Sequence, residues 1–203
     1  MPLSLFVNML PAESSRIGEV LLPIARCAIA RKLGRAASAN ESAPWLAEPH
    51  ATFVTLGLKG RLRGCIGSIE VERSLLADLK HNALGAAFRD PRFGTLRDDE
   101  LDATVIEVSL LTPPQTLGAL TTEAEVIAQL VPHRDGVILE LGNRSATFLP
   151  QVWESLPEPR HFLAELKQKA GLAPDYWSRE LKVSRYGVQK WSEAEPARAR
   201  ALP

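Results

Sequence analysis

The chain has 203 residues, 24 basic and 24 acidic side chains and 45% apolar residues. This is the composition of an ordinary globular protein, able to bury roughly 70% of its unfolded surface without disulfides or metal. Zero formal net charge argues against a protein that tracks polyphosphate, because nonspecific nucleic-acid affinity needs many Lys/Arg–phosphate contacts.

Residues 1–10 are apolar but lack a basic start and a small-residue cleavage site, so a signal peptide is not expected. No apolar run approaches the length of about 18 residues that a membrane span needs. Residues 14–33 read as a helix capped by Ser14 or Ser15, with Ile17, Leu21, Ile24 and Ala28 at helical spacing. Pro23 inside that pattern removes a backbone donor and predicts a kink or a later start. The Ala/Ser/Pro-rich stretch 35–51 reads as loop. Thr52–Leu58 is a strand by its β-branched and aromatic content; Lys59-Gly60 turns it, and Arg61–Ile69 returns as a second strand. Ser74 caps a helix with Leu75, Leu79, Ala83, Ala86 and Ala87 inward, ended by Asp90-Pro91.

Asp102–Thr112 is a long strand stopped by Pro113-Pro114. Thr122 and Glu125 fit a capping box for a helix through Val131. Asp135-Gly136 and Gly142-Asn143 turn into strands at 137–141 and 145–149. A helix over 161–170 ends at Gly171, and Val183–Trp191 is a last strand. The domain then spans 10–192, and the Ala/Arg/Glu/Pro tail 193–203 is expected to be disordered. Hairpins dominate this order, which favours an α+β fold with antiparallel sheet over a doubly wound one. Thr55–Ile66 and Val137–Leu149 share a pattern of strand, glycine turn and Arg-bearing strand, which raises an internal duplication.

Chemistry concentrates in Leu62-Arg63-Gly64-Cys65-Ile66-Gly67. On a strand, Arg63, Cys65 and Gly67 share one face. A guanidinium two positions away stabilises a thiolate, so Cys65 would have a lowered pKa and act as a nucleophile. The alternative is a small buried hydrophobe. Gly64 and Gly67 mark a bulge or a close approach of ligand or backbone. Their spacing matches the two-glycine loop of some RNA binders, but no basic residue lies between them. Cys27 and Cys65 form neither a disulfide framework nor a zinc motif, and fit a reducing, cytoplasmic setting. His50, His81, His133 and His161 lack metal-ligand spacing, so no metal or cofactor is expected.

Glu107 stands among Val105, Ile106, Val108 and Leu110, where a carboxylate should be half-buried with a partner. Arg63 is a candidate partner if the strands are neighbours; an edge strand with Glu107 in water is the alternative. Asn82 faces inward on its helix, as a ligand contact or as a bracket to a neighbouring loop. Asp90 and Arg92 follow at the helix end, as ligand residues or as a helix stop with a local ion pair. Trp153, Trp177 and Trp191 read as core or rim aromatics.

These residues resemble the signature of the AMMECR domain family, called AmmeMemoRadiSam system protein A in bacteria and archaea. The resemblance starts from Leu62–Gly67. It extends through Phe53–Leu56, Asn82-Ala83, Ala86–Phe93, Ile106–Pro113, Asp135-Gly136, Ala146–Trp153 and Lys169–Leu172 to Trp177, in family order. It implies an α+β fold with a larger and a smaller lobe, and association with a Memo-type protein and a radical SAM protein. It brings no settled reaction. Two functions follow as expectations. One is a component that binds those partners through a cleft built around the motif. The other is an enzyme or modifying component for a small-molecule ligand, with Cys65 as nucleophile or substrate-contacting thiol and Arg63, Asn82 and Glu107 positioning the substrate.

Overall fold

The structure, a computed structural model, describes residues 11–117 and 122–194. It has two compact units: unit 1 takes the chain to Leu110 and again from Gln189, and unit 2 is Leu111–Val188. The fold is α+β, with two four-stranded antiparallel sheets.

In unit 1, α1 spans Pro11–Lys32, so neither Ser14 nor Ser15 is its cap. It runs on through Pro23, since one missing backbone donor is outweighed by a buried stripe of Ile17, Leu21, Ile24 and Ile29. A 3-10 turn at Pro44–Ala47 interrupts the expected loop and buries Leu46. Strands β1 (Thr52–Leu58) and β2 (Arg61–Gly67) close a hairpin through Lys59 and Gly60. Both turn residues have positive φ, 54° and 73°, as the favoured two-residue hairpin turns require. Helix α2 (Leu75–Phe88) is capped by the Ser74 side chain, as its sequence suggests. A four-residue helix α3 (Asp98–Leu101) precedes β3 (Thr104–Leu111).

The sheet order is β2-β1-β3-β8, where β8 is Val188–Ser192. Helices α1 and α2 share one core with Val54, Leu56, Ile106 and Val108, so they cover that face of the sheet. By strand alternation, Phe53, Thr55, Cys65 and Glu107 point to the other face. Glu193, assigned above to the disordered tail, is held in place: Arg26 Nε donates to its Oε1 at 2.6 Å, and Ile106 N to its Oε2 at 2.8 Å. The rest of that tail, 195–203, lies outside the described residues.

Unit 2 holds β4 (Gln115–Thr116), α4 (Glu123–Gln129), β5 (Gly136–Leu141), β6 (Arg144–Phe148), α5 (Pro159–Lys169) and β7 (Lys182–Tyr186). Its sheet order is β4-β7-β5-β6. The Thr122/Glu125 capping box forms as expected. Trp153 and Phe162 stack at 3.7 Å in a core with Val137, Leu139, Leu163 and Leu166. Gly171 ends α5 with a φ of 74°. The expected last strand, 183–191, is instead two strands separated at Gly187 and placed in different sheets.

Candidate functional site

Thr55 is opposite Cys65 on β2 and opposite Glu107 on β3, so three side chains form one row across the sheet. Cys65 is half-buried, and the Thr55 hydroxyl donates to its Sγ at 3.2 Å. The backbone N–H of Cys65 turns away from β1 toward the outer edge of the sheet. A pair of this kind brings side chains closest across an antiparallel ladder, which fits the short O–S distance.

That outer edge is occupied by the segment after α2. Asp90 Oδ2 accepts from Cys65 N at 2.8 Å, and Arg92 Nη2 donates to Cys65 O at 3.2 Å. Arg92 and Asp90 form a two-point ion pair at 3.0 and 2.7 Å, and Asp90 Oδ1 also accepts Arg92 N. Asp90 and Arg92 thus do for one residue of an edge strand what a further strand would do. The Arg92 guanidinium holds the buried Asp90 carboxyl well below the ordinary carboxylate range, with the N–H groups of Cys65 and Arg92 adding to it against the cost of burial. Asp90 in turn raises Arg92, whose guanidinium also lies against the Cys65 side chain. The cation beside the thiol is therefore Arg92.

Arg63 is not that cation. The register of the hairpin shifts between Leu56, opposite Gly64, and Gly57, opposite Leu62, which leaves Arg63 as the extra residue of a bulge. Its guanidinium makes two 3.0 Å bonds to Glu100 and donates to Gly94 O and Thr95 O at 2.9 and 3.1 Å. Arg63 in return lowers the Glu100 pKa. Nor does Arg63 meet Glu107. That carboxylate is half-buried on an inner strand, not an edge strand, and its cation is Lys190 at 3.8 Å.

The two glycines have steric reasons. A Cβ on Gly64 would lie 2.1 Å from the Ala86 carbonyl oxygen, so this glycine lets β2 and α2 approach closely. A Cβ on Gly67 would lie 2.2 Å from the ring of Phe53, its cross-strand partner. Asn82 is 1% exposed and binds Thr52 O, Thr52 Oγ1, Ser68 Oγ and Asp78 Oδ2 at 2.9–3.1 Å. Asp78, also buried, accepts from Thr52 N and from the hydroxyls of Thr52 and Ser68 at 2.7–2.8 Å. Asn82 is thus the bracket, not a ligand contact, and it ties α2 to the start of β1 and the end of β2.

Of the eight residues singled out by sequence, the fold brings Cys65, Asp90, Arg92 and Glu107 to one patch, and Gly67 adjoins it. Thr55 was missed. Its signal was available only through the bulge, because regular pairing from the turn would have set Thr55 opposite Gly64. Among the described residues there is no group of three or more His, Cys, Asp or Glu able to hold a metal ion. No described helix is long and apolar enough to cross a membrane.

The AMMECR1 family model matches residues 22–191. The chain belongs to the AMMECR1 family. A Methanosarcina barkeri member is 38% identical over 157 residues, covering 77% of each chain. A Methanopyrus kandleri member is 37% identical over 190 residues, covering 88% of this chain and 89% of the relative. The crystal structure of an uncharacterized protein from Pyrococcus horikoshii is similar, with a TM-score of 0.77 at 34% identity. It covers 88% of this chain and 92% of that one. The α+β fold is thus shared within the family, whose biochemical role is uncharacterised.

Proposed function

We propose that this AMMECR1-family protein is a binding component that works with a Memo-type protein and a radical SAM protein. Its recognition surface is the face of the unit 1 sheet carrying Thr55, Cys65 and Glu107, with Arg92 beside them. One observation supports this reading above all. Gly64, Gly67, Asn82, Asp90 and Arg63 spend their chemistry inside unit 1, while Cys65, Glu107 and Arg92 stay partly exposed on a backbone those five residues hold rigid. A rigid surface presenting a thiol, a carboxylate and a guanidinium suits recognition of a polar partner surface or ligand.

Co-elution of the purified chain with Memo-type and radical SAM proteins from its own organism tests the proposal. Arg92→Ala and Glu107→Ala, each shown folded, should weaken co-elution about tenfold, and undiminished binding by both would refute the chosen face. The Thr55–Cys65 hydrogen bond and the neighbouring guanidinium favour a second reading, in which Cys65 contacts or attacks the ligand. Iodoacetamide should then modify Cys65 in the native protein well before the buried Cys27. Equal, unfolding-limited modification of both thiols would remove that role.

A further inference from the structure

The ion pair at the edge of β2 is neutral as a whole but shows only one sign to solvent. The Asp90 side chain is 2% exposed and that of Arg92 is 55% exposed. Burial hides the carboxylate and leaves the guanidinium as the charge that a molecule arriving at this edge meets first. The Glu107 carboxylate on the same face already has Lys190 at 3.8 Å. It lies two strands from Cys65, about 10 Å away at the usual strand spacing, so it does little to cancel the Arg92 charge.

Three of the five guanidinium N–H groups are committed to the bracket. Nε and one N–H of Nη2 serve Asp90, and the other N–H of Nη2 serves Cys65 O. Nη1 has no oxygen acceptor among the described residues, so its N–H groups are the ones left for something outside the chain. The guanidinium plane is fixed by those bonds and by Phe93, whose ring centre lies 5.5 Å from the guanidinium carbon. An arginine held on one edge by a buried carboxylate and free on another has the donor geometry that suits carboxylate and phosphate oxygens. The Thr55 hydroxyl donates to Cys65 Sγ at 3.2 Å, so Thr55 and Arg92 both bring donors, not acceptors, to the surroundings of the thiol.

We infer that the free edge of Arg92 is a subsite for an oxyanion group, a carboxylate or a phosphate, carried by the molecule that docks on this face. This subsite rests on the reading of the face as the recognition surface, and it adds the chemical class of what is recognised. Asp90 is the positioning residue: it holds the guanidinium through Nε and Nη2 and leaves Nη1 uncommitted beside Cys65. An ammonium group at position 92 would keep the charge but has no second planar edge with which to hold Asp90 and an oxyanion separately.

Cys65 serves as the reporter. Its thiolate displaces iodide from iodoacetate or from iodoacetamide and forms the same C–S bond, and the two reagents differ in carrying a carboxylate or a neutral amide. Their rate ratio therefore cancels the thiolate fraction of Cys65 and reads the charge and donors beside it. At low ionic strength the iodoacetate-to-iodoacetamide ratio in the native chain should exceed that of the same cysteine in urea about tenfold. Arg92→Gln should bring the ratio to the unfolded value or below, since the Asp90 charge is then uncompensated. Arg92→Lys should fall between the two, and full retention in that variant would overturn the role of the edge. Inorganic phosphate and acetate, each compared with chloride at equal ionic strength, should slow the iodoacetate reaction, and the stronger competitor identifies the preferred group. A native ratio equal to the unfolded one, or unchanged in Arg92→Gln, overturns the subsite. Should native Cys65 react too slowly or Arg92→Gln fail to fold, the Cys65 amide resonance of the wild-type chain carries the test. It should shift saturably with phosphate or acetate, and no shift beyond that with chloride overturns the subsite. Co-elution with protein partners is measured independently: its loss with the ratio intact removes the partner reading alone, and the reverse removes the subsite alone.

Discussion

Gly64→Ala separates a glycine that serves packing from one that serves a ligand. The added methyl would sit 2.1 Å from the Ala86 carbonyl oxygen and 3.0 Å from its carbon. An ordinary contact needs more than an ångström beyond the first distance, and the obstacle is helix backbone, which cannot rotate aside. Overpacking a core costs about 1–3 kcal/mol, and a clash with backbone belongs at the top of that range. The reduced freedom of the unfolded chain returns about 0.4–1 kcal/mol. A net loss of about 2–2.6 kcal/mol is expected, or about 4–10 °C in Tm for a chain of this size. Gly94→Ala is the control, since nothing lies within 4 Å of its Cβ and its φ is not positive. Urea unfolding with linear extrapolation, at unchanged m, gives both values. If Gly64→Ala is as stable as Gly94→Ala, the glycine is not there for the helix, and the ligand reading of that position returns.

Arg92→Ala removes both bonds to the buried Asp90 and the donor to Cys65 O; with a half-exposed guanidinium the loss should be about 1–2 kcal/mol by urea unfolding. Because Asp90 is depressed in the folded state, the gap between wild type and variant should be full above about pH 4 and shrink as acid protonates the carboxyl; a gap that does not change with pH would contradict the bracket. Asn82→Ala strands acceptors on Thr52 and Asp78 and should cost about 2–3 kcal/mol; a change below about 0.5 kcal/mol would contradict the network. His50 is lowered by burial, so its neutral form belongs to the fold. Stability should be complete above about pH 6.5 and fall as pH drops toward the folded value, and His50→Phe should flatten that limb of the urea midpoint against pH. Tyr186 is pushed up to about 12 by burial, partly offset by Thr147. Stability should therefore fall as pH rises from about 10 through 12, with a tyrosinate absorbance step near the upper value that Tyr186→Phe abolishes.

Elements marked by local chemistry were legible in the sequence. The two hairpins announce themselves by Lys59-Gly60 and Gly142-Asn143, and Ser74 and the Thr122/Glu125 pair cap the helices that follow them. What a sequence cannot display is which sheet receives a strand. Val183–Trp191 reads as one strand because its two halves have the same character, and only their placement in different sheets on either side of Gly187 divides it. At the site, Arg63 departs from the face of Cys65 for a local reason. A period of two holds only where pairing is regular, and one extra residue turned Arg63 toward Glu100 and moved Thr55 opposite Cys65. Arg92 lies 27 positions from Cys65, so its proximity is a tertiary fact set by the length and direction of α2.

The bulge, the close-packed Gly64, the ring over Gly67 and the Asp90/Arg92 bracket all act within three residues of Cys65. The ladder to β1 and the packing of Gly64 and Ile66 on α2 already hold this strand in the sheet, and these four features act in addition. Together they fix the backbone of Cys65 on both sides of the strand and at both of its polar groups, while the thiol stays half-exposed. Preorganisation of that degree matters where a side chain must meet something in a fixed geometry, and it adds little to a thiol that merely fills space. Asp90 illustrates the point: its carboxylate is buried yet kept ionised by an arginine that also leans on the Cys65 side chain, so one ion pair both seals the strand edge and supplies the charge at its surface. The scaffold reading of the motif and the functional reading of its cysteine are therefore two consequences of the same packing.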